Sequence, residues 1–299
     1  MSLTAPRLSL GLVVLALAGC GSSNSSSTSS TSSAASTTPA TDSKVAALVP
    51  AAVKSSGTLS VAADASYAPN EFVGSNGKTV EGMDADLAKA LASVMGLKAD
   101  VKNQTFDSII PGLAAKKYDL GMSSFTDTLA RQKVVNFVTY FSAGTSFYTK
   151  AQGGPTVNGL ADLCGLKVAV EKGTTQQADA TAQSKKCTAT GKKPVSVSVF
   201  PDQNGANLAL SSGRAQVGMA DSPVADYQVK QSNGQFKLTG TPYGTAPYGI
   251  AMSKSSGLAK PVLAGIKQLM SDGDYKKILN RWGIASGAIS NPVINGATS

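Results

Sequence analysis

The chain has 299 residues, 42% of them hydrophobic, enough to bury one or two cores once non-folding segments are set aside. Its formal net charge is +9, yet its Lys and Arg residues are scattered, with no long basic run and no basic-aromatic alternation. Nucleic acid is therefore not an expected partner, and weak attraction to an anionic cell surface accounts for the excess. The chain contains no histidine. That excludes Ser-His-Asp and Cys-His catalysis, and without a Cys-x-x-Cys pair no metal site and no cofactor are expected.

Taken from its start, the chain shows one basic residue, Arg7, then an apolar run over residues 8–18, then Leu17-Ala18-Gly19-Cys20. The run is too short to cross the roughly 30 Å hydrocarbon core as a helix, so residues 1–19 read as a secretory signal. Leu-Ala-Gly-Cys resembles the lipobox of bacterial lipoproteins, which implies that Cys20 is acylated and anchors the protein to the outer face of the cell membrane. Two acyl chains suffice for stable anchoring, where one is marginal. Residues 21–43 are almost entirely Ser, Thr, Ala and Gly. They have little to bury, so residues 20–56 are expected to be the anchor and an unfolded tether, or a glycosylated stalk. With Cys20 lipidated, Cys164 and Cys187 remain as a pair in an oxidising compartment, and one disulfide is expected.

Beyond the tether, apolar runs alternate with helical patterns. Residues 59–63 read as a strand. Residues 84–95 read as a helix with Leu87, Leu91, Val94 and Met95 on one face and Asp84 and Asp86 in the favourable first turn. A strand over 97–102, a helix over 106–117 and a strand over 119–122 complete a βαβαβ rhythm. After a Gly- and Pro-containing stretch at 152–155 the rhythm restarts. Strands are expected at 166–170, 195–200 and 216–220, with helices at 175–185 and 203–212 and a third opened by Ser222-Pro223. A last strand near 248–252 precedes helices at 258–270 and 275–282. Two similar α/β halves predict two lobes, each a mainly parallel sheet flanked by helices: 57–147 as the first part of lobe 1, 148–242 as lobe 2, 243–285 as the return to lobe 1, and 286–299 as a tail.

In open parallel sheets ligands sit beyond the carboxyl ends of the strands. Asp64 and Tyr67 follow the first strand. Ser123, Ser124, Thr126 and Arg131 follow the strand at 119–122, Thr174 and Thr175 follow that at 166–170, and Asp221 follows that at 216–220. Together they supply a guanidinium, hydroxyls and helix-start amides for a carboxylate. They also supply an acid for an ammonium, and an aromatic face. Singly each has an ordinary alternative: Arg131 as a surface charge, Asp221 as the cap of the next helix. The joint pattern is a receptor for a small zwitterion.

From about residue 57 to 282 the chain resembles the family 3 bacterial extracellular solute-binding proteins, the amino-acid binders of ABC transporters. Asp64-Ala65-Ser66-Tyr67-Ala68-Pro69 resembles the segment whose acid and aromatic line the ligand side-chain pocket. Gly82-Met83-Asp84-Ala85-Asp86-Leu87-Ala88-Lys89-Ala90 resembles the signature helix, with Met83 and Ala85 replacing a more usual aromatic and a larger aliphatic. Phe106-Asp107-Ser108-Ile109-Ile110-Pro111-Gly112-Leu113 implies that Phe106 packs on the ligand. Ser123-Ser124-Phe125-Thr126-Asp127-Thr128-Leu129-Ala130-Arg131 resembles the α-carboxylate segment, Gly173-Thr174-Thr175-Gln176 the second-lobe carboxylate loop, and Ala220-Asp221-Ser222 the α-ammonium site. Gln203 aligns near the hinge-side pocket wall.

The resemblance implies a type II periplasmic-binding-protein-like fold with a hinge, a monomer, and ABC permease subunits as partners. The chain departs from the family at Asn70 and Glu71, where relatives carry a single aromatic, and at Asn136 and Val138. Asp64, with Glu71 and Glu171 near it, favours a cationic side chain. If Glu71 and Glu171 instead face water or Lys172, the one remaining acid suits a polar neutral ligand. Two other readings are a dehydratase-like enzyme of the same fold and a ligand-sensing partner of a membrane receptor.

Overall fold

The computed structural model describes residues 38–297, and the lipobox and residues 20–37 of the expected tether lie outside that range. The chain opens with two short helices, α1 (Ser43–Leu48) and α2 (Ala51–Ser56). Then come β1 (Thr58–Ala63), a small antiparallel sheet of β2 (Ser66–Tyr67), β3 (Glu71–Val73) and β4 (Val80–Glu81), and α3 (Met83–Val94). They are followed by β5 (Lys98–Asn103), α4 (Phe106–Ala114), β6 (Leu120–Gly121), α5 (Leu129–Gln132) and the 16-residue β7 (Val135–Lys150). The second half contains β8 (Lys167–Glu171), α6 (Thr175–Ala189), β9 (Ser196–Phe200), α7 (Gln203–Ser211), β10 (Val217–Asp221) and α8 (Ser222–Gln231). The 18-residue β11 (Phe236–Ser253), α9 (Ala259–Ser271) and α10 (Asp274–Arg281) follow.

The main sheet has the order β5-β1-β6-β11-β7-β10-β8-β9. Its two wings are parallel, β1 with β5 and β6, and β8 with β9 and β10. The wings are joined by the antiparallel pair β7 and β11, which runs through both. These two strands are longer than expected: the sequence reading found only the 248–252 end of β11 and none of β7. Both lobe changes expected at 147/148 and 242/243 fall inside these strands. The β7/β11 register shifts between Thr239 and Tyr243 and again between Tyr243 and Ala246. Such irregularities bend and twist a strand pair.

Each wing has its own apolar core. Val138, Tyr140, Phe141, Ala143, Leu59, Leu87, Leu91 and Ile266 belong to the first, and Phe147, Val168, Val170, Val217, Met219 and Cys187 to the second. The expected disulfide is present: Cys164 is bonded to Cys187, tying the approach to β8 to the end of α6.

The tether is shorter than expected. Asp42 caps α1, accepting from the backbone N–H groups of Lys44 and Val45 at 2.8 and 2.9 Å, and Val45 and Val49 are buried in the first core. An Asp cap and two valines four apart were enough to dock this segment, so folded structure begins before residue 57. The tail docks as well. Thr139 and Val293 exchange hydrogen bonds, and Asp127 accepts from the N–H groups of Gly296 and Ala297 at 2.7 and 3.2 Å.

Candidate functional site

Arg131 lies in α5, whose start is capped by Thr128. Its guanidinium donates to the Thr126 carbonyl at 2.8 Å and, from the other lobe, to the Gly173 carbonyl at 3.0 Å. It lies 5.3 and 5.4 Å from the ring centroids of Phe106 and Phe125. Burial lowers its pKa from the ordinary arginine value, and Asp221 across the cleft opposes that shift. Gly173 adopts φ +82°, and a Cβ there would stand 3.0 Å from the Asp107 side chain, so glycine suits this close approach of the lobes. Beside it Lys172 and Asp107 pair at 2.8 Å, which depresses the Asp107 carboxyl. Both side chains are exposed enough that the pair is worth at most about 1 kcal/mol. Thr174 caps α6 and presents that helix start to the cleft.

Asp221 ends β10 and stands at the cap position of α8, but its side chain does not cap that helix. Instead it accepts from Gln176 Nε2 and from Tyr248 Oη, both at 2.6 Å. The ordinary cap reading is thereby corrected: this carboxylate is aimed into the cleft. Burial raises its pKa, and the two donors and Arg131 pull the other way.

At the third corner, Tyr67 meets Phe106 edge to face at 5.9 Å. Behind them Asp64 accepts from Ser66 Oγ at 2.6 Å and from the Phe106 N–H at 2.9 Å. Glu171, buried at the end of β8, faces Tyr67 and Asp64, yet neither of its carboxyl oxygens completes a hydrogen bond. Burial, with Asp64 alongside, pushes Glu171 up to about 10. Gln203 bonds Tyr148 Oη at 2.9 Å and sends its backbone N–H to Ser66 Oγ at 3.1 Å.

Tyr67, Phe106, Ser124, Thr126, Arg131, Thr174, Thr175, Gln203 and Asp221 all line one cleft. Gln176, one residue beyond the two threonines expected there, joins them. Asp64 and Glu171 lie behind the aromatics and do not form the cleft wall. Ser123 is turned away, accepting the Asp64 N–H and donating to Glu71 at 3.1 Å. Glu71 is wholly buried against Asp84, Ser123 and Ser124, so it neither lines the cleft nor faces water. The contacts between lobes leave about 10 Å³ free in the cleft, room for about one water. A cavity of about 340 Å³ lies behind the hinge strands, walled partly by Phe141, Pro223, Pro242, Trp282 and Ile284. Ser222, Asp226, Tyr227 and Lys230 also line it, and it shares no residue with the cleft around Arg131.

Two lobes joined by paired strands, with a cation and an acid converging on one cleft, define a hinged solute-binding protein. The chain matches the family described as bacterial extracellular solute-binding proteins, family 3, over residues 59–285. It is 34% identical over 253 residues to the arginine-binding protein ArgT of Corynebacterium glutamicum, covering 84% of this chain and 83% of that one. Among solved structures, an ancestral arginine-binding protein bound to arginine is 36% identical with a TM-score of 0.69, over 76% of this chain and 98% of that one. The same description with glutamine bound gives 36% identity and 0.68 over the same shares. An ancestral amino acid-binding protein, AncCDT-1, described as a precursor of cyclohexadienyl dehydratase, is 34% identical with a TM-score of 0.67, over 77% of this chain and 97% of that one. The chain belongs to the family 3 bacterial extracellular solute-binding proteins. It is accordingly the extracytoplasmic substrate-binding component of an amino-acid ABC importer. No helix among the described residues is long and apolar enough to cross a membrane.

Proposed function

We propose that the protein captures L-arginine by hinge closure and presents it to the importer's permease subunits. The observation that carries this reading is the buried Asp64–Glu171 pair beneath Tyr67 and Phe106, opposite Arg131 and Asp221. A zwitterion bridging Arg131 of one lobe and Asp221 of the other stabilises the closed form selectively, which is how a ligand shifts such an equilibrium. A guanidinium reaching Asp64 and Glu171 supplies the donors that Glu171 lacks. The names of the arginine-binding relatives support the same choice. A glutamine side chain brings fewer donors and no charge, and an acidic side chain is repelled. The protein acts as a monomer and by binding alone, with the β7–β11 crossing as its hinge.

The test is calorimetry across the common amino acids. Arginine is expected to bind tightest and to release up to one proton per site near neutral pH. The sign follows from Glu171: its raised pKa leaves it protonated in the free protein at pH 7, and an adjacent cation favours the ionised form. Affinity for arginine therefore rises with pH through neutrality, until the ligand's own α-ammonium begins to lose its proton. Tightest binding of glutamine, or no proton exchange with arginine, would refute the assignment.

The N-terminal reading extends the proposal to location. Cys20 carries lipid and holds the folded part at the outer face of the membrane through the Ser/Thr-rich segment. A Cys20→Ala variant is expected to appear largely in the medium. Unchanged membrane retention would remove the anchor.

A further inference from the structure

The fold buries a second acid pair that the ligand cycle does not use. Glu71 and Asp84, both no more than 1% exposed, face one another under the turn that opens the carboxylate-binding segment. Their donors can be counted. Ser123 Oγ reaches Glu71 Oε1 at 3.1 Å, Ser124 Oγ reaches Glu71 Oε2 at 3.2 Å, and the Ser124 N–H reaches Asp84 Oδ2 at 2.9 Å. Asp84 Oδ1 and the Tyr140 hydroxyl that faces it are both buried without a completed hydrogen bond. Among the described residues no Lys or Arg forms an ion pair with either acid. The titratable groups facing the pair are Asp64 after β1, Tyr140 of β7 and Tyr248 of β11, none of them a cation.

Two ionised carboxylates in such a place would each be desolvated and would repel each other, which a fold does not sustain without a counter-charge. One retained proton removes the repulsion and supplies a further donor to Asp84. Burial first, and Asp84 second, push Glu71 well above the carboxylate range, in the same direction.

We propose that Glu71 is held as a neutral carboxylic acid donating its proton to Asp84, and that this acid pair is a positioning element for Ser124 and the carboxylate-binding segment that follows it. Ser124 sits at φ +51°, an uncommon backbone setting for a residue with a side chain. Three contacts hold it there: Asp84 on its N–H, Glu71 on its hydroxyl, and Asn70 Nδ2 donating to that hydroxyl at 2.9 Å. Two adjacent residues, Asn70 and Glu71, thus supply two of the three contacts.

The experiment uses the full chain and three proteins: wild type, Glu71→Gln and Glu71→Leu. An amide carries a donor that does not titrate, so Glu71→Gln is expected to keep arginine affinity within about twofold at neutral pH. Glu71→Leu strands Ser124 and Asp84 and should weaken affinity about tenfold or more. The melting temperature adds a readout that needs no ligand. The folded wild type retains a proton that its unfolded chain releases, so its stability relative to Glu71→Gln falls as pH rises from about 5 to about 8. A flat or rising difference means that Glu71 is ionised and overturns the proposal, as does a tenfold affinity loss in Glu71→Gln. The affinity arm rests on the arginine assignment, whereas the melting difference does not, so the two failures are distinguishable.

Discussion

Replacing Arg131 with alanine is expected to weaken arginine binding by two to three decades or more, about 3–5 kcal/mol, as titration calorimetry would read it. The reason lies in what surrounds the guanidinium. It is held over Phe106 and Phe125, with Thr126 and Gly173 carbonyls as its present acceptors. A ligand carboxylate brought into that low-dielectric setting without it is left desolvated and unpaired. Arg131→Lys should fall between the two, since a point charge cannot grip both carboxylate oxygens as a planar fork does. The melting temperature should change little, because removing a buried charge also removes its desolvation cost. Less than a threefold loss of affinity in Arg131→Ala would show that the carboxylate binds elsewhere.

The second large effect is expected at Asp221, and here affinity and stability should fall together. Asp221→Ala removes the partner of the ligand ammonium, which costs about 2–5 kcal/mol when one member of a buried charge pair is truncated. It also strands Tyr248 Oη, which donates to Asp221 at 2.6 Å, and removes one of the two acceptors of Gln176 Nε2, leaving Thr145 Oγ1. A buried donor left without an acceptor costs about 1–3 kcal/mol, and for a domain of this size each kcal/mol lowers the melting temperature by roughly 2–4 °C. Asp221→Asn separates the two contributions: it offers Tyr248 an acceptor but no charge to the ammonium. Wild-type affinity in Asp221→Asn would sink the assignment. The raised pKa adds a pH signature. As pH falls through that raised value the acid takes a proton, so affinity should be lost on acidification sooner than for an ordinary aspartate.

Both substitutions act on a cleft that already makes contacts of its own. Arg131 bonds Gly173, Lys172 pairs with Asp107, and the Gln203 N–H bonds Ser66 from lobe to lobe. The ligand must exchange for these contacts, so measured affinity is the difference between its interactions and theirs.

Much of this was written locally. Alternating apolar runs specify β1, α3, β8 and α7, because each needs only the periodicity of its own residues. The short motifs at strand ends place Arg131, Thr174 and Asp221 at one cleft because parallel wings bring strand ends to one edge. An even count of cysteines beyond Cys20 was sufficient for the Cys164–Cys187 bond. What the chain alone left undecided is which acid serves the ligand and which serves the fold. Asp64, Glu71 and Glu171 look alike in sequence. Glu71 is claimed by serines 52 and 53 residues away, and Glu171 comes from the other lobe to stand beside Asp64. The passage of β7 and β11 through both lobes was likewise hidden, since β7 is buried along most of its length and shows no alternation, while β11 is buried mainly near its far end and is broken by register shifts. Pairings so distant in the chain are set by how the layers pack, and only the assembled fold decides whether a carboxylate meets a serine, another acid or a guest.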